Sequence, residues 1–330
     1  MPPATPQFRR GPISAVSEKA TAERIINTRS WTERLFSFRL TRPAAFRFEP
    51  GQFARLGIAS ASGGIIWRAY SMVSASHDEH LEFFSIVVPD GAFTTRLAKL
   101  GAGDTLHLEK RAYGYLTTGR FVGGQDLWLL ASGTGVAPFL SILHDPQVWQ
   151  QYDNIVLAYS VREMRDLAYR DEITALASHE LFASDGHKLR FVPVVTRERV
   201  PGTLDRRLTT LIAEGLLEDH IGLRLDPERA RILVCGNRRC STICAMCCPR
   251  AACDRTAARA PETLPSRITG KAAWHARAFD SHRTFPVTED FSHMPSCCDV
   301  SRLVGTPSIP VSPGKQAKHS APAGHGTGIE

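Results

Sequence analysis

The first 234 residues of this 330-residue chain contain no cysteine; all eight lie at or after Cys235. That excludes a disulfide framework from the whole of that stretch and suits a reducing, cytoplasmic setting. No apolar run reaches the roughly 18 residues of a membrane helix, so no membrane span is expected. The opening segment, Met1–Ala20, has Arg9 and Arg10 but no apolar stretch behind them, which excludes a secretory signal. Residues 1–21 read as a flexible leader. Basic and aromatic residues are not interleaved on any one element, so nucleic-acid binding is not expected. The net charge is +7, but 12 Lys/Arg against 7 Asp/Glu from Arg238 onward supply +5 of it. The basic character is mostly a property of the tail.

What is present is an ordinary globular composition, 43% hydrophobic and 22% charged, over a length that holds two domains. Residues 22–118 read as short strands separated by turns. Phe36, Phe38 and Leu40 alternate with polar neighbours, Phe53–Ile58 follows Pro50-Gly51, and Leu81–Val88 ends at Pro89-Asp90-Gly91. Phe93, Leu97 and Leu100 have helical spacing, and Leu106 and Leu108 mark another strand. Many short strands at this spacing predict an antiparallel β-barrel.

From residue 119 to 237 the pattern changes. Leu127–Ala131, Ile155–Tyr159, Leu189–Val195 and Ile232–Cys235 are continuous apolar strands. Helical patterns at Phe139–Leu143, Arg170–Ser178 and Leu208–Leu217 lie between them. This alternation predicts a parallel α/β sheet covered on both faces. Residues 238–330 carry no sustained period and read as a disordered tail.

Two motifs carry chemistry. In Arg68-Ala69-Tyr70-Ser71 the arginine fork suits a diphosphate, the tyrosine ring suits an isoalloxazine, and the serine hydroxyl suits the flavin's reactive nitrogen. Strand alternation puts Arg68 and Tyr70 opposite Ser71, so all three reach one ligand only at a bulge or a strand end. Taken alone, the four residues read better as an ordinary barrel strand. About sixty residues on, Leu127–Ala131 runs into Ser132-Gly133-Thr134-Gly135, with Pro138 where a G-x-G-x-x-G pattern has its third glycine. Glycines after the first strand of a parallel sheet let backbone approach a pyrophosphate; the bland reading is a glycine-rich turn without a ligand. Arg162, Arg197 and Arg207 fall at or after the ends of later strands, where three cations could meet a 2′-phosphate, although any one alone reads as a surface arginine. Cys240-x3-Cys244-x2-Cys247 has the spacing of a cluster ligand set, but nothing after it supplies the barrel such a site needs, and no zinc pattern is present either. No metal is expected.

With these residues in view, residues Ala22 to Asn237 resemble the bacterial ferredoxin/flavodoxin–NADP⁺ reductases. The resemblance rests on Trp31-Thr32, Leu35-Phe36-Ser37, Pro50-Gly51-Gln52-Phe53, Arg68-Ala69-Tyr70-Ser71, Val88-Pro89-Asp90-Gly91, Gly133-Thr134-Gly135 with Pro138, Arg197-Glu198 and Cys235-Gly236-Asn237. It implies FAD contacts at Arg68, Ala69, Tyr70, Ser71, Phe84, Ala92, Phe93, Thr94 and Thr134. Phe84 stands where the family often has tyrosine. It implies NADP(H) contacts at Val161, Arg162, Thr196, Arg197 and Arg207, with Cys235 beside the nicotinamide; Ser71 and Cys235 are the expected catalytic residues. The implied reaction passes electrons between NADPH and ferredoxin or flavodoxin, in the cytoplasm and as a monomer. The alternatives are an oxygenase reductase component, a flavin reductase, or an FAD-binding protein impaired by its altered end.

That end departs from the family, which continues Cys-Gly-Asn-Pro-x-Met and closes on an aromatic pair. Here Arg238-Arg239-Cys240 follows Asn237. Codons exist for Pro261–Lys271 that, read one base earlier, encode Gly-Asn-Leu-Ala-Val-Glu-Asn-Tyr-Trp and a stop. A frameshift after Asn237 is therefore expected, with loss of the last helix and strand and partial uncovering of Ile232–Cys235.

Overall fold

The computed structural model describes residues 18–60, 63–182 and 184–237. The expected leader, up to residue 17, and the whole tail from residue 238 lie outside the described residues. Six strands build the first half: β1 (Ala20–Ser30), β2 (Leu35–Thr41), β3 (Phe53–Ala59), β4 (Ile65–Ser71), β5 (His80–Ile86) and β6 (Thr105–Glu109). A one-turn helix, α1 (Thr94–Leu97), sits between β5 and β6. The sheet is antiparallel in the order β4-β3-β6-β1-β2-β5 and curls into the expected barrel. Its two edges meet at the single Met72–Phe83 bridge. β1 begins at Ala20, paired with Glu109 of β6, so Ala20 and Thr21 belong to the sheet and not to the leader.

Alternation explains the barrel's interior. Phe38 and Leu40 of β2, Ala54, Leu56 and Ile58 of β3, Leu81 and Phe83 of β5, and Leu106 and Leu108 of β6 all point into one apolar cluster. Phe38 and Phe83, paired across β2 and β5, lie with ring centroids 5.5 Å apart.

The second half contains β7 (Asp126–Ser132), α2 (Ala137–Leu143), α3 (Pro146–Gln151), β8 (Asn154–Val161), α4 (Arg170–Leu176), β9 (Leu189–Val195), α5 (Leu208–Ala213), α6 (Leu216–Ile221) and β10 (Ala230–Cys235). Its strands are parallel in the order β10-β7-β8-β9. Successive residues feed opposite cores: Leu127, Leu129 and Ala131 face α2 and α3, whereas Trp128 and Leu130 face α5 and α6. That double burial is why these strands are apolar without alternation.

Two expectations are corrected. The single helix read over Leu208–Leu217 is two helices, because Gly215 takes a left-handed φ of 71° between them. Ile232–Val234 are not uncovered: Leu233 packs into one core and Ile232 and Val234 into the other, leaving only Cys235 half-buried.

Candidate functional site

The motifs meet in one cleft between the two halves. β3 and β4 pair in unbroken register from Ala59–Ile65 to Phe53–Ser71, so no bulge rotates Ser71. The strand instead ends at Ser71, and this resolves the problem of alternation. Arg68, Ala69, Tyr70 and Ser71 all line the same cavity, whose volume is about 1080 Å³.

Tyr70 is wedged among aromatic rings. Phe38 and Phe83 present their edges to it at 6.1 and 6.4 Å, and Phe93 lies at 5.7 Å. Its hydroxyl is 3.0 Å from Ser85 Oγ. Burial pushes the phenol pKa up to about 12, against smaller opposing effects of the Ser85 hydrogen bond and the Arg68 charge. At neutral pH Tyr70 is an uncharged ring with a polar end. Arg68 donates from Nη1 to the Trp67 carbonyl at 2.9 Å, which steadies its fork at the cavity wall.

Phe84, on β5, lines the opposite wall and is buried. The segment after β5 turns at Asp90, whose φ is 61°, and is tied by Thr94, whose Oγ1 accepts from the Val88 N–H at 3.1 Å. Phe93 and Thr94 thereby reach the cavity; Ala92, expected beside them, is not among its lining residues.

β7 supplies the third wall. After Ser132 the chain makes a 3₁₀ turn, Gly133–Val136, and continues into α2 with Pro138 in its first turn. Gly133 has φ 56°, and no atom lies within 4 Å of where a Cβ would stand, so backbone is open to the cavity there. Gly135 faces the other way: a Cβ on it would fall 2.3 Å from the Cys235 carbonyl oxygen. Thr134 and Cys235 both line the cavity, and Asn237 Nδ2 donates to Ser132 Oγ at 3.4 Å.

The ends of β8 and β9 lie side by side. Thr196 donates through N–H and Oγ1 to the Val161 carbonyl at 3.1 and 3.0 Å, and the Arg197 N–H donates to the Arg162 carbonyl at 2.9 Å. Arg207 precedes α5. Arg162, Arg197 and Arg207 line the cavity together with Val161 and Thr196. Among the described residues none of these three arginines forms an ion pair, whereas their neighbours do: Arg165 with Glu163 at 2.7 Å and Arg206 with Glu214 at 2.5 Å. Three arginines on one cavity, two just past the ends of β8 and β9 and one at the start of α5, can hold a multiply charged anion, although Glu163 and Asp166 line the same cavity.

Sequence reasoning missed Ser85, which holds the Tyr70 hydroxyl, and Arg165, which also lines the cavity. Arg165 carried the same signal as Arg162, a cation just past an apolar strand; Ser85 carried none. Among the described residues no group of His, Cys, Asp or Glu could hold a metal ion, and no helix is long and apolar enough to cross a membrane.

Two known families match successive parts of the chain. The oxidoreductase FAD-binding domain family matches residues 24–113, and the oxidoreductase NAD-binding domain family matches residues 129–245. Ferredoxin--NADP reductase A of Sorangium cellulosum is 41% identical over 220 residues, 66% of this chain and 78% of that protein. Ferredoxin--NADP reductase of Pseudomonas aeruginosa is 41% identical over 218 residues, covering 65% and 83% of the two chains. Flavodoxin/ferredoxin--NADP reductase of Rhodobacter capsulatus is 36% identical over 230 residues, covering 68% and 84%. A crystal structure of a ferredoxin NADP⁺ reductase from Neisseria gonorrhoeae, with bound FAD and NADP, superimposes with a TM-score of 0.64 at 38% identity, over 68% of this chain and 89% of that one.

Proposed function

The chain belongs to the ferredoxin–NADP⁺ reductase family, and we propose that its cleft carries electrons between NADPH and an acidic one-electron carrier, ferredoxin or flavodoxin, by way of FAD. The observation that carries this reading is that Arg68–Ser71, from one half, and Thr134, Arg162, Arg197, Arg207 and Cys235, from the other, line a single cavity. Two cofactors that must exchange a hydride need a shared cavity of this kind.

The residues fit both groups. FAD supplies the capacity to take a hydride and release electrons one at a time, which no side chain here can do. Arg68 binds its diphosphate, Tyr70 offers a neutral aromatic face, and Ser71 offers a hydroxyl donor. Phe84, Phe93 and Thr94 close the pocket around it, and Gly133-Thr134 brings backbone close to a phosphate. Ala92 contributes through its position in the turn only. Arg162, Arg197 and Arg207, without an ion pair among the described residues, bind the 2′-phosphate and so favour NADP(H) over NAD(H). Val161 and Thr196 form the floor between them, and Cys235 positions the nicotinamide.

We take the protein to act in the cytoplasm, a reading supported by the cysteine-free stretch up to residue 234, and as a monomer. The test is direct. Purified protein should be yellow with about one FAD per chain; NADPH added without oxygen should bleach the flavin, and ferredoxin or flavodoxin should restore its colour. Protein that neither holds nor takes up FAD refutes the reading. A flavin that NADPH cannot reduce favours the FAD-binding protein impaired by its altered end.

A further inference from the structure

Tyr169 is not part of the cavity, yet it has an unusual backbone. Its φ is 61° and ψ 12°, a left-handed conformation that a bulky side chain rarely takes, at the N-cap of α4. Such strain persists only where the surroundings over-determine it. Those surroundings come from the barrel. The phenol donates to Glu82 Oε1 at 2.8 Å, across 87 residues of sequence. The other carboxylate oxygen of Glu82 accepts from Arg39 Nε at 2.7 Å, so the acceptor is itself held. The Tyr169 ring lies 4.5 Å from Trp31 and meets Phe84 edge-on at 5.3 Å with an interplanar angle of 90°.

A second contact grips the same region. Ser141 of α2 donates to the Ser74 carbonyl at 2.7 Å in a buried hydrogen bond, and Ser74 Oγ accepts from the Glu82 N–H at 2.5 Å. Two separate points of the α/β half therefore converge on Glu82. Two residues along the strand from Glu82 is Phe84, which lines the cavity. Eight residues before Tyr169 along the chain, β8 ends at Val161 beside Arg162.

We propose that Tyr169 is a positioning residue that latches the nucleotide-binding half to the barrel and holds Phe84 from behind, so fixing the distance over which the hydride travels. This rests on the reading that FAD and NADP(H) share the cavity. Tyr169 touches neither; it acts through Phe84 and through the placement of the β8 end. Misplacement of reacting groups by about 1 Å costs on the order of a hundredfold in rate, so a latch of this kind is kinetically visible while leaving each ligand's own contacts whole.

The test uses the FAD-loaded full chain and two variants. Tyr169→Phe keeps the ring and removes the hydroxyl; Tyr169→Leu removes the ring contacts as well. The readouts are the limiting rate of flavin reduction at saturating NADPH, the Kd for 2′,5′-ADP, FAD content and the visible circular dichroism of the flavin. The limiting rate should fall about fivefold in Tyr169→Phe and about thirtyfold or more in Tyr169→Leu, within the range for misplaced reactants. The Kd and FAD content should stay within twofold, and the dichroism should change in Tyr169→Leu. Glu82→Gln, which keeps an oxygen to receive the phenol, should retain most of the parent rate. Limiting rates within twofold of the parent in both Tyr169 variants overturn the latch, as does a fall that merely tracks lost FAD. If Tyr169→Leu does not fold, the rate of Tyr169→Phe decides. If the parent itself is not reduced by NADPH, the function reading fails and the latch falls with it.

Discussion

Gly135 and Cys235, a hundred residues apart in sequence, are in backbone contact: a Cβ at Gly135 would lie 2.3 Å from the Cys235 carbonyl oxygen and 2.6 Å from the Gly236 nitrogen. Both obstacles are main chain, which cannot rotate away. The contact holds the end of β10, where Cys235 lines the cavity, against the turn that follows β7. Gly135→Ala should therefore cost about 1–3 kcal/mol of stability, the usual penalty for overpacking, and should slow NADPH oxidation more than it weakens FAD binding. Thermal unfolding with parallel flavin quantification measures both. An unchanged Tm would mean that the strand ends are slack.

On the proposed reading, Arg197 should distinguish the two nicotinamide cofactors. A charge-assisted contact to phosphate contributes roughly 1.5–3 kcal/mol, so Arg197→Ala should raise the KM for NADPH by about tenfold or more and leave the KM for NADH nearly unaltered. Steady-state kinetics with both cofactors settles the point, and equal losses would take Arg197 out of the 2′-phosphate site.

Tyr70 predicts a pH dependence. Its pKa is raised from 10 to about 12 by burial, so the folded protein keeps the proton that the unfolded chain gives up first. The associated stability is complete below pH 10 and is lost as the pH rises from 10 towards 12, an effect on the order of 3 kcal/mol for two pKa units. Urea unfolding of the FAD-free protein should show the parent losing stability over that window more steeply than Tyr70→Phe. Parallel curves would show that the phenol is not desolvated in solution.

Ring loss at the same position should weaken the flavin itself. Tyr70→Ala removes an aromatic face worth about 1 kcal/mol or more, and FAD release on dilution, followed by flavin fluorescence, should increase at least several-fold. Retention equal to the parent would move the stacking role elsewhere.

The reading of the C-terminal region is tested at the gene. A version shifted by one base after Asn237 should exceed the present chain in both melting temperature and ferredoxin reduction. Equal or better performance by the present chain would refute the frameshift.

Much of this was legible in the sequence because the signals are local. The barrel strands announce themselves by alternation at Phe36–Leu40 and Leu106–Leu108, and the parallel strands by unbroken apolar runs, since burial on one face or on both is written directly into residue order. Gly133-Thr134-Gly135 marked the strand-to-helix turn because few other residues tolerate its backbone. What stayed hidden depends on where a chain turns after an element ends. Ala92 was expected with Phe93 and Thr94, but the turn at Asp90 presents only the latter two to the cavity. Gly215 lay inside an apolar helical pattern, and whether it bends or breaks that helix is decided by packing on both sides of it.

The sequence by itself determined which chemical groups the protein has to work with: an arginine, a tyrosine and a serine at the end of one strand, glycines after another, and arginines after the next two. Short-range periodicity and backbone freedom dictate those placements. Only the tertiary structure decided that Arg162, Arg197 and Arg207 would face one cavity, that Ser71 would escape alternation by ending its strand, and that Tyr169 would reach Glu82 across 87 residues. Such meetings depend on how two independently patterned halves pack against each other, and no local periodicity encodes that.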